Sequence, residues 1–325
     1  MWCGHCASQH HAYACEDAAE KGHLECLVYA HEHGCPWDET TCAFAALNGH
    51  LDCLAYAHDR DCPWDERTCT FAASGHLDCL VYAHEHGCPW DFWTCARAAI
   101  FGHLDCLAYA HGHRCPWDVL TCWSAAKNGH LVCLAYAHDR ECPWDERTCT
   151  YAAMNGHLDC LVYAHEHGCP WDERTCTYAA SGHLDCLVYA HEHGCPWDVW
   201  TCTNAAMYGH LDCLAYAHEQ GCPWDEGTCA YSAKNGHLDC LVYATRRGAS
   251  WGSVSARDKE RYIRRWRALR VVARWALRVR RNTVVRRAET IQRVWKEYTY
   301  APFPGRVGYE RAKGAFGAAT VDRRT

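Results

Sequence analysis

The chain has 325 residues, 49% of them hydrophobic, with 28 cysteines, 25 histidines and a formal net charge of −7. There is ample apolar material for a continuous core, while no apolar run reaches the ~18 residues that a membrane span requires. Charge is divided along the chain: residues 1–245 hold a balance of −23 and residues 246–325 a balance of +16.

At the N-terminus, Met1 to Ala19 shows no basic segment followed by an apolar run, so no secretory signal is expected. The cysteines are then expected to be mostly free thiols in a reducing cytoplasm, not a disulfide framework. Trp2-Cys-Gly-His-Cys6 matches the active-site pentapeptide of protein disulfide isomerases. That chemistry needs a buried strand leading into a helix whose N-terminus lowers the first thiol's pKa. One residue precedes the motif here, and Cys and His together supply 53 of 325 positions, so redox catalysis is not expected.

From residue 22 onward the chain repeats. Gly-His-Leu recurs at Gly22, Gly49, Gly75, Gly102, Gly129, Gly156, Gly182, Gly209 and Gly236, at intervals of 26 or 27 residues. One unit reads Thr148-Cys-Thr-Tyr-Ala-Ala-Met-Asn-Gly156-His-Leu-Asp-Cys-Leu-Val-Tyr-Ala-His-Glu-His-Gly168-Cys-Pro-Trp-Asp172. Each unit predicts two helices. Asp145 is placed to cap a first helix through Thr148 to Ala153, and Asn155-Gly156 to end it in a left-handed turn. A second helix is expected over Leu158 to His165, stopped by Gly168 and Pro170. Its first turn carries Asp159 and its end carries His165 and His167, the order the helix dipole favours.

Leu158, Leu161 and Ala164, with Cys160 beside them, form one apolar stripe. Ala152 and Ala153 on the first helix are small enough for close helix approach. Helices this short are marginal alone, so neighbouring units must bury one another's stripes.

The Ala-Ala-x-Asn-Gly-His-Leu-Asp core resembles the centre of the ankyrin repeat, over residues 10–250. With Gly-Cys-Pro-Trp-Asp between helix pairs, the unit is most similar to the short ankyrin-type repeats abundant in large DNA viruses of amoebae. Ankyrin units usually span about 33 residues and open on Thr-Pro-Leu-His; these are shorter and open on Thr-Cys. The shortfall is expected in the hairpin between units, leaving an all-α solenoid of about nine helix–turn–helix repeats with little or no strand.

Cys and His do not converge as zinc ligands do within a unit: Cys160 and His165 lie about 140° apart around their helix. No metal or other cofactor is expected, and Cys is read as a small core residue. The Trp of Cys-Pro-Trp-Asp occurs eight times, Trp37 to Trp224, which suggests a bridge between units. The His of Gly-His-Leu is expected to bond the adjoining loop backbone. His84 and His86, near a second-helix end, are expected to be exposed.

Positions that depart from the repeat point to recognition. Where most units carry polar pairs after Pro-Trp-Asp, three carry Phe92-Trp93, Val119-Leu120 and Val199-Trp200. The same units add Arg97, Ile100 and Phe101, then Trp123 and Lys127, then Asn204, Met207 and Tyr208. Aromatic and Arg anchors are what binding hot spots favour. The candidate partner-binding residues are therefore Phe92, Trp93, Arg97, Phe101, Val119, Leu120, Trp123, Val199, Trp200, Met207 and Tyr208.

The repeats end near Ala244-Thr-Arg-Arg-Gly-Ala-Ser-Trp251. Residues 251–301 form a basic amphipathic segment, with Tyr262, Trp266, Leu269, Ala273 and Ala276 at helical spacing between Asp258 and Arg281. Val284, Ala288, Ile291, Trp295 and Tyr298 continue the pattern, and residues 302–325 are expected to be disordered. Candidate binding residues here are Arg264, Arg265, Trp266, Arg270, Arg274, Ile291, Gln292 and Trp295. Ile291-Gln-Arg-Val-Trp-Lys296 resembles the first half of a calmodulin-binding IQ motif, although Glu297 stands where that motif has Gly and Ala301 where it has its last basic residue. Such a helix can serve a calmodulin-like protein, nucleic acid or an anionic membrane, or fold back on the acidic repeats.

No phosphate-binding Gly-rich loop or nucleophile motif is present, so no enzyme is expected. The reading is a scaffold or adaptor for a protein partner, by resemblance a host one. The alternative is a nucleic-acid-associated protein that binds phosphates through its Arg-rich helix.

Overall fold

An aspartate starts each full repeat. In the computed structural model, which describes residues 14–252 together with Ser255, Arg257, residues 259–262 and Arg264, Asp145 is extended and accepts from Arg147 N at 3.1 Å. Asp38, Asp65, Asp91, Asp118, Asp172, Asp198 and Asp225 do the same for the helices that follow them. Each satisfies a backbone donor that a helix start leaves without an intrahelical partner.

The described residues hold nine consecutive helix pairs and no strand. The pairs are α1 Ala14–Glu20 with α2 Leu24–Glu32, α3 Glu39–Leu47 with α4 Leu51–His58, and α5 Glu66–Ala72 with α6 Leu77–Glu85. Then come α7 Phe92–Phe101 with α8 Leu104–Gly112, α9 Val119–Asn128 with α10 Leu131–His138, and α11 Glu146–Met154 with α12 Leu158–Glu166. Last are α13 Glu173–Ala179 with α14 Leu184–Glu192, α15 Val199–Tyr208 with α16 Leu211–Glu219, and α17 Glu226–Asn235 with α18 Leu238–Arg246. Each first helix packs on the second helix of its pair and on the first helices before and after it, so the units form an all-α solenoid.

The two 26-residue units lose their residue at one place. In α5 and α13 the helix has seven residues where the other full repeats have nine or ten, and the missing residue falls just before Ser74-Gly75 and Ser181-Gly182. Those glycines sit at φ 130° and 136°, whereas Gly49, Gly102 and Gly156 lie between 73° and 79°. A shorter helix thus reaches the next one through a different glycine conformation, which only a residue without Cβ adopts readily.

The core is built from few residue types. Leu54, Leu80, Leu107, Leu134 and Leu161 have no exposed surface, nor do the alanine pairs Ala98-Ala99 and Ala152-Ala153. Burying each leucine contributes roughly 1.5–3 kcal/mol, and the alanines bring helices close enough to do it. The stripe of α12 is centred on Cys160, Leu161 and Ala164; Leu158 lies at its half-buried rim.

Thiols tie the turn that closes each unit to the turn that opens it. Cys142 Sγ donates to the carbonyl of Asp118 at 3.3 Å, and Cys62, Cys88, Cys115, Cys169, Cys195 and Cys222 make the equivalent bond. All 26 described cysteines are free of disulfides, and burial with a nearby Asp159 carboxylate pushes the Cys160 thiol up to about 12.

The chain divides into two units, Met1–Val254 and Ser255–Thr325. In the second, Lys259 N donates to Ser255 O at 2.9 Å, and exposed Arg264 pairs with Glu260 at 2.9 Å. Arg265, Trp266, Arg270, Arg274, Ile291, Gln292 and Trp295 lie outside the described residues, as does the Trp2–Cys6 motif. Among the described residues no helix is long and apolar enough to cross a membrane.

Candidate binding surface

Two positions on the first helices separate the candidate residues from the repeat. Two residues after the capping Asp, Arg67, Arg147 and Arg174 bend back to pair with that Asp, at 2.8, 2.6 and 3.5 Å. Trp93 and Trp200 occupy this position in α7 and α15, and are 46% and 52% exposed. Just before the terminal Gly, Asn48, Asn128 and Asn155 donate through Nδ2 to the carbonyl four residues earlier, at 2.8–3.0 Å. Phe101 and Tyr208 stand there instead, 48% and 53% exposed. Both repeats, the fourth and the eighth, thus trade local polar bonds for exposed aromatic surface.

The remaining candidates have packing partners or partial cover. Phe92, Val119, Leu120, Trp123, Val199 and Met207 are half-buried. Trp123 lies 5.1 Å from the Tyr151 ring of the next repeat, and Lys127 stands 5.7 Å over that same ring. Arg97 donates to Ser74 Oγ at 2.6 Å and covers the rings of Phe71 and Phe101 at 4.7 and 5.3 Å. Asn204, though polar, is buried and donates to Thr177 O of the preceding repeat at 3.2 Å.

Exposed apolar residues outside the candidate set include Met154 and Tyr178 on the first helices α11 and α13, exposed by 42% and 36%, and Val132 on the second helix α10, exposed by 64%. Val132 follows the Leu of Gly-His-Leu, where the other units carry Glu25, Asp52, Asp78, Asp105, Asp159, Asp185, Asp212 or Asp239, every one exposed. An internal alignment of second helices finds it as the one apolar residue in an acidic row.

Residues 15–58 match the family model described as ankyrin repeats (many copies). The matched segment is the first two helix pairs, and the seven ankyrin-like pairs after it repeat their sequence pattern. No curated protein matches the chain. Ankyrin repeats are generally protein–protein interaction modules.

At the far ends of the second helices runs an aromatic ladder. His138 stacks on Trp144 at 4.0 Å, meets Tyr163 edge-on at 5.8 Å, and bonds its hydroxyl through Nδ1 at 3.2 Å. Each turn tryptophan from Trp37 to Trp224 stacks in this way on a histidine of its own repeat. The Trp and His together face the next repeat's tyrosine, so the bridge expected of Trp is shared by three rings. The outer face of that tyrosine is covered by His86, His113, His167 or His193, or by Arg60 or Arg140 at 4.0 and 3.9 Å. His86 is exposed, but His84 is half-buried against Trp90, contrary to the expectation that both are exposed. Burial, then the neighbouring imidazoles His113, His167 and His193, hold His84, His138 and His165 below the ordinary histidine value.

Proposed function

We propose that the ankyrin-like repeats form a non-enzymatic scaffold that binds a protein partner through the exposed aromatic residues of α7 and α15. The observation behind this reading is that Trp93, Phe101, Trp200 and Tyr208 take the places of Arg and Asn residues that make local polar bonds elsewhere in the array. Solvent-exposed aromatics at these sites gain the fold nothing equivalent, whereas aromatic anchors dominate binding interfaces. The half-buried Phe92, Val119, Leu120, Trp123, Val199 and Met207 of α7, α9 and α15 add apolar surface to this reading, and Arg97 covers the Phe101 ring. The acidic balance of residues 1–245 favours a basic partner. Free thiols and the resemblance to viral repeats support a reducing host cytoplasm as the setting.

The test exchanges each aromatic for the residue that other repeats carry. A full-length Trp93→Arg, Phe101→Asn, Trp200→Arg, Tyr208→Asn variant is expected to fold and to lose proteins that the parent retains from a cell extract. Retention of the same proteins by both would refute the reading.

A second reading rests on the +16 balance of residues 246–325, which suits phosphate neutralisation. Nucleic-acid binding that weakens steeply with salt and disappears on removal of residues 255–325 would support it. Salt-independent or absent binding would leave the tail to a calmodulin-like partner or to the acidic repeats.

A further inference from the structure

We infer that the histidine ladder holds four open two-imidazole sites for divalent first-row transition ions of the zinc class. The pairs are His58 with His86, His84 with His113, His138 with His167 and His165 with His193. Their ring centres lie 5.5, 5.1, 5.3 and 5.5 Å apart. A tetrahedral ion about 2.0–2.1 Å from each ligating nitrogen holds two imidazole centres about 5 Å apart.

Hydrogen bonding selects the ligating nitrogen. His167 Nδ1 lies 2.8 Å from the backbone oxygen of Tyr163, which can only accept, so the ring proton is on Nδ1 and the lone pair on Nε2. The Tyr163 hydroxyl donates to Asp139 Oδ1 at 3.3 Å, so it accepts from His138 Nδ1 at 3.2 Å. His138 therefore also presents its lone pair on Nε2. One tyrosine thus orients both rings through Nδ1, the outer-shell arrangement usual for metal-binding histidines. Tyr109 and Tyr189 anchor the rings of their own pairs in the same way, through hydroxyl and backbone oxygen.

Charge near the pairs suits a cation: Asp139 lies beside His138, Glu85 beside His84 and Glu166 beside His165. No group of three or more His, Cys, Asp or Glu among the described residues is placed to hold an ion. Each site thus offers two protein ligands and leaves the other positions to water, which makes the bound ion exchangeable and open to a further ligand. Pairing ceases where the second histidine is replaced. Arg60 follows His31, Arg140 follows His111, Gln220 follows His191 and Arg247 follows His218.

Zinc titration of the full chain by calorimetry at pH 7.5 tests this, with Zn²⁺ as the probe. The parent is expected to bind four equivalents more than a His86→Ala, His113→Ala, His167→Ala, His193→Ala variant. Other thiols and imidazoles, Cys3, His5 and Cys6 among them, contribute equally to both. Arg60→His is expected to add one equivalent by completing a pair with His31, a gain that needs no variant to lose a residue from the ladder. Equal stoichiometry in parent and quadruple variant, or no gain with Arg60→His, would overturn the inference.

Discussion

His130 of the fifth repeat closes over Gly102 of the fourth, with its Nε2 3.1 Å from the carbonyl oxygen of Ile100. A Cβ built on Gly102 would stand 2.5 Å from His130 Nδ1. The Gly and the His of the repeated Gly-His-Leu thus act across a boundary: the glycine of one unit is the seat for the histidine of the next.

Substitution at Gly102 should therefore cost more than backbone strain. Gly87 has a similar φ, 84° against 79°, but nothing lies within 4 Å of its missing Cβ. Gly87→Ala is expected to lose about 1–2 kcal/mol from left-handed strain alone. Gly102→Ala should lose distinctly more, because the imidazole must also be expelled. Denaturant unfolding of the two variants checks this, and equal losses would contradict the seat.

Three units hold a non-glycine residue in the left-handed conformation at the end of the second helix. Asp61, Arg114 and Glu141 have φ of 57°, 66° and 63° where other units place Gly34, Gly87 or Gly168. Asp61→Gly, Arg114→Gly and Glu141→Gly should each raise stability by up to about 1 kcal/mol, the relief of strain exceeding the entropy lost on fixing a glycine. Thermal unfolding of the triple variant above the parent's midpoint is the expected result.

Asp118 has two duties in one residue. Its carboxylate accepts from Leu120 N at 2.9 Å, and its backbone carbonyl accepts from Cys142 Sγ. Asp118→Ala is expected to cost about 0.5–2 kcal/mol through the lost cap, while Asp118→Asn, which keeps an accepting oxygen, should cost little. Chemical denaturation resolves the two.

Acid should loosen the array. His183 and His210 are held below the ordinary histidine value of 6.5 by burial first, then by neighbouring imidazoles, against the Met154 carbonyl and Asp212 that act the other way. The unfolded chain takes up these protons near pH 6.5 while the folded chain stays neutral, so unfolding is favoured as pH falls below that value. The melting temperature is expected to be lower at pH 5.5 than at 7.5, with a smaller drop in a His183→Gln, His210→Gln variant. A midpoint unmoved by pH would contradict the burial of these rings.

Much of this was legible in the chain. The period, the two helices per unit, the capping aspartates and the buried Cys, Ala and Leu positions all follow from local spacing and from the limited ways a short helix can start and stop. The ankyrin-like character was likewise written in the residues around each Gly-His-Leu. Local patterns also flagged the departures in the fourth, fifth and eighth repeats.

Which of those departures face solvent was decided by packing between units. Phe92 and Trp93 are adjacent and both apolar, yet one is half-buried and the other largely exposed. Trp123 sits one residue before Arg97's equivalent position and finds Tyr151 on the next helix. His84 and His86 differ in cover because Trp90 and Tyr109 approach only the first. Periodicity along a chain fixes which residues share a helix face, because that depends on bonds within one turn. Exposure and imidazole pairing depend on side chains more than twenty residues away, whose distance is set only when the repeats stack.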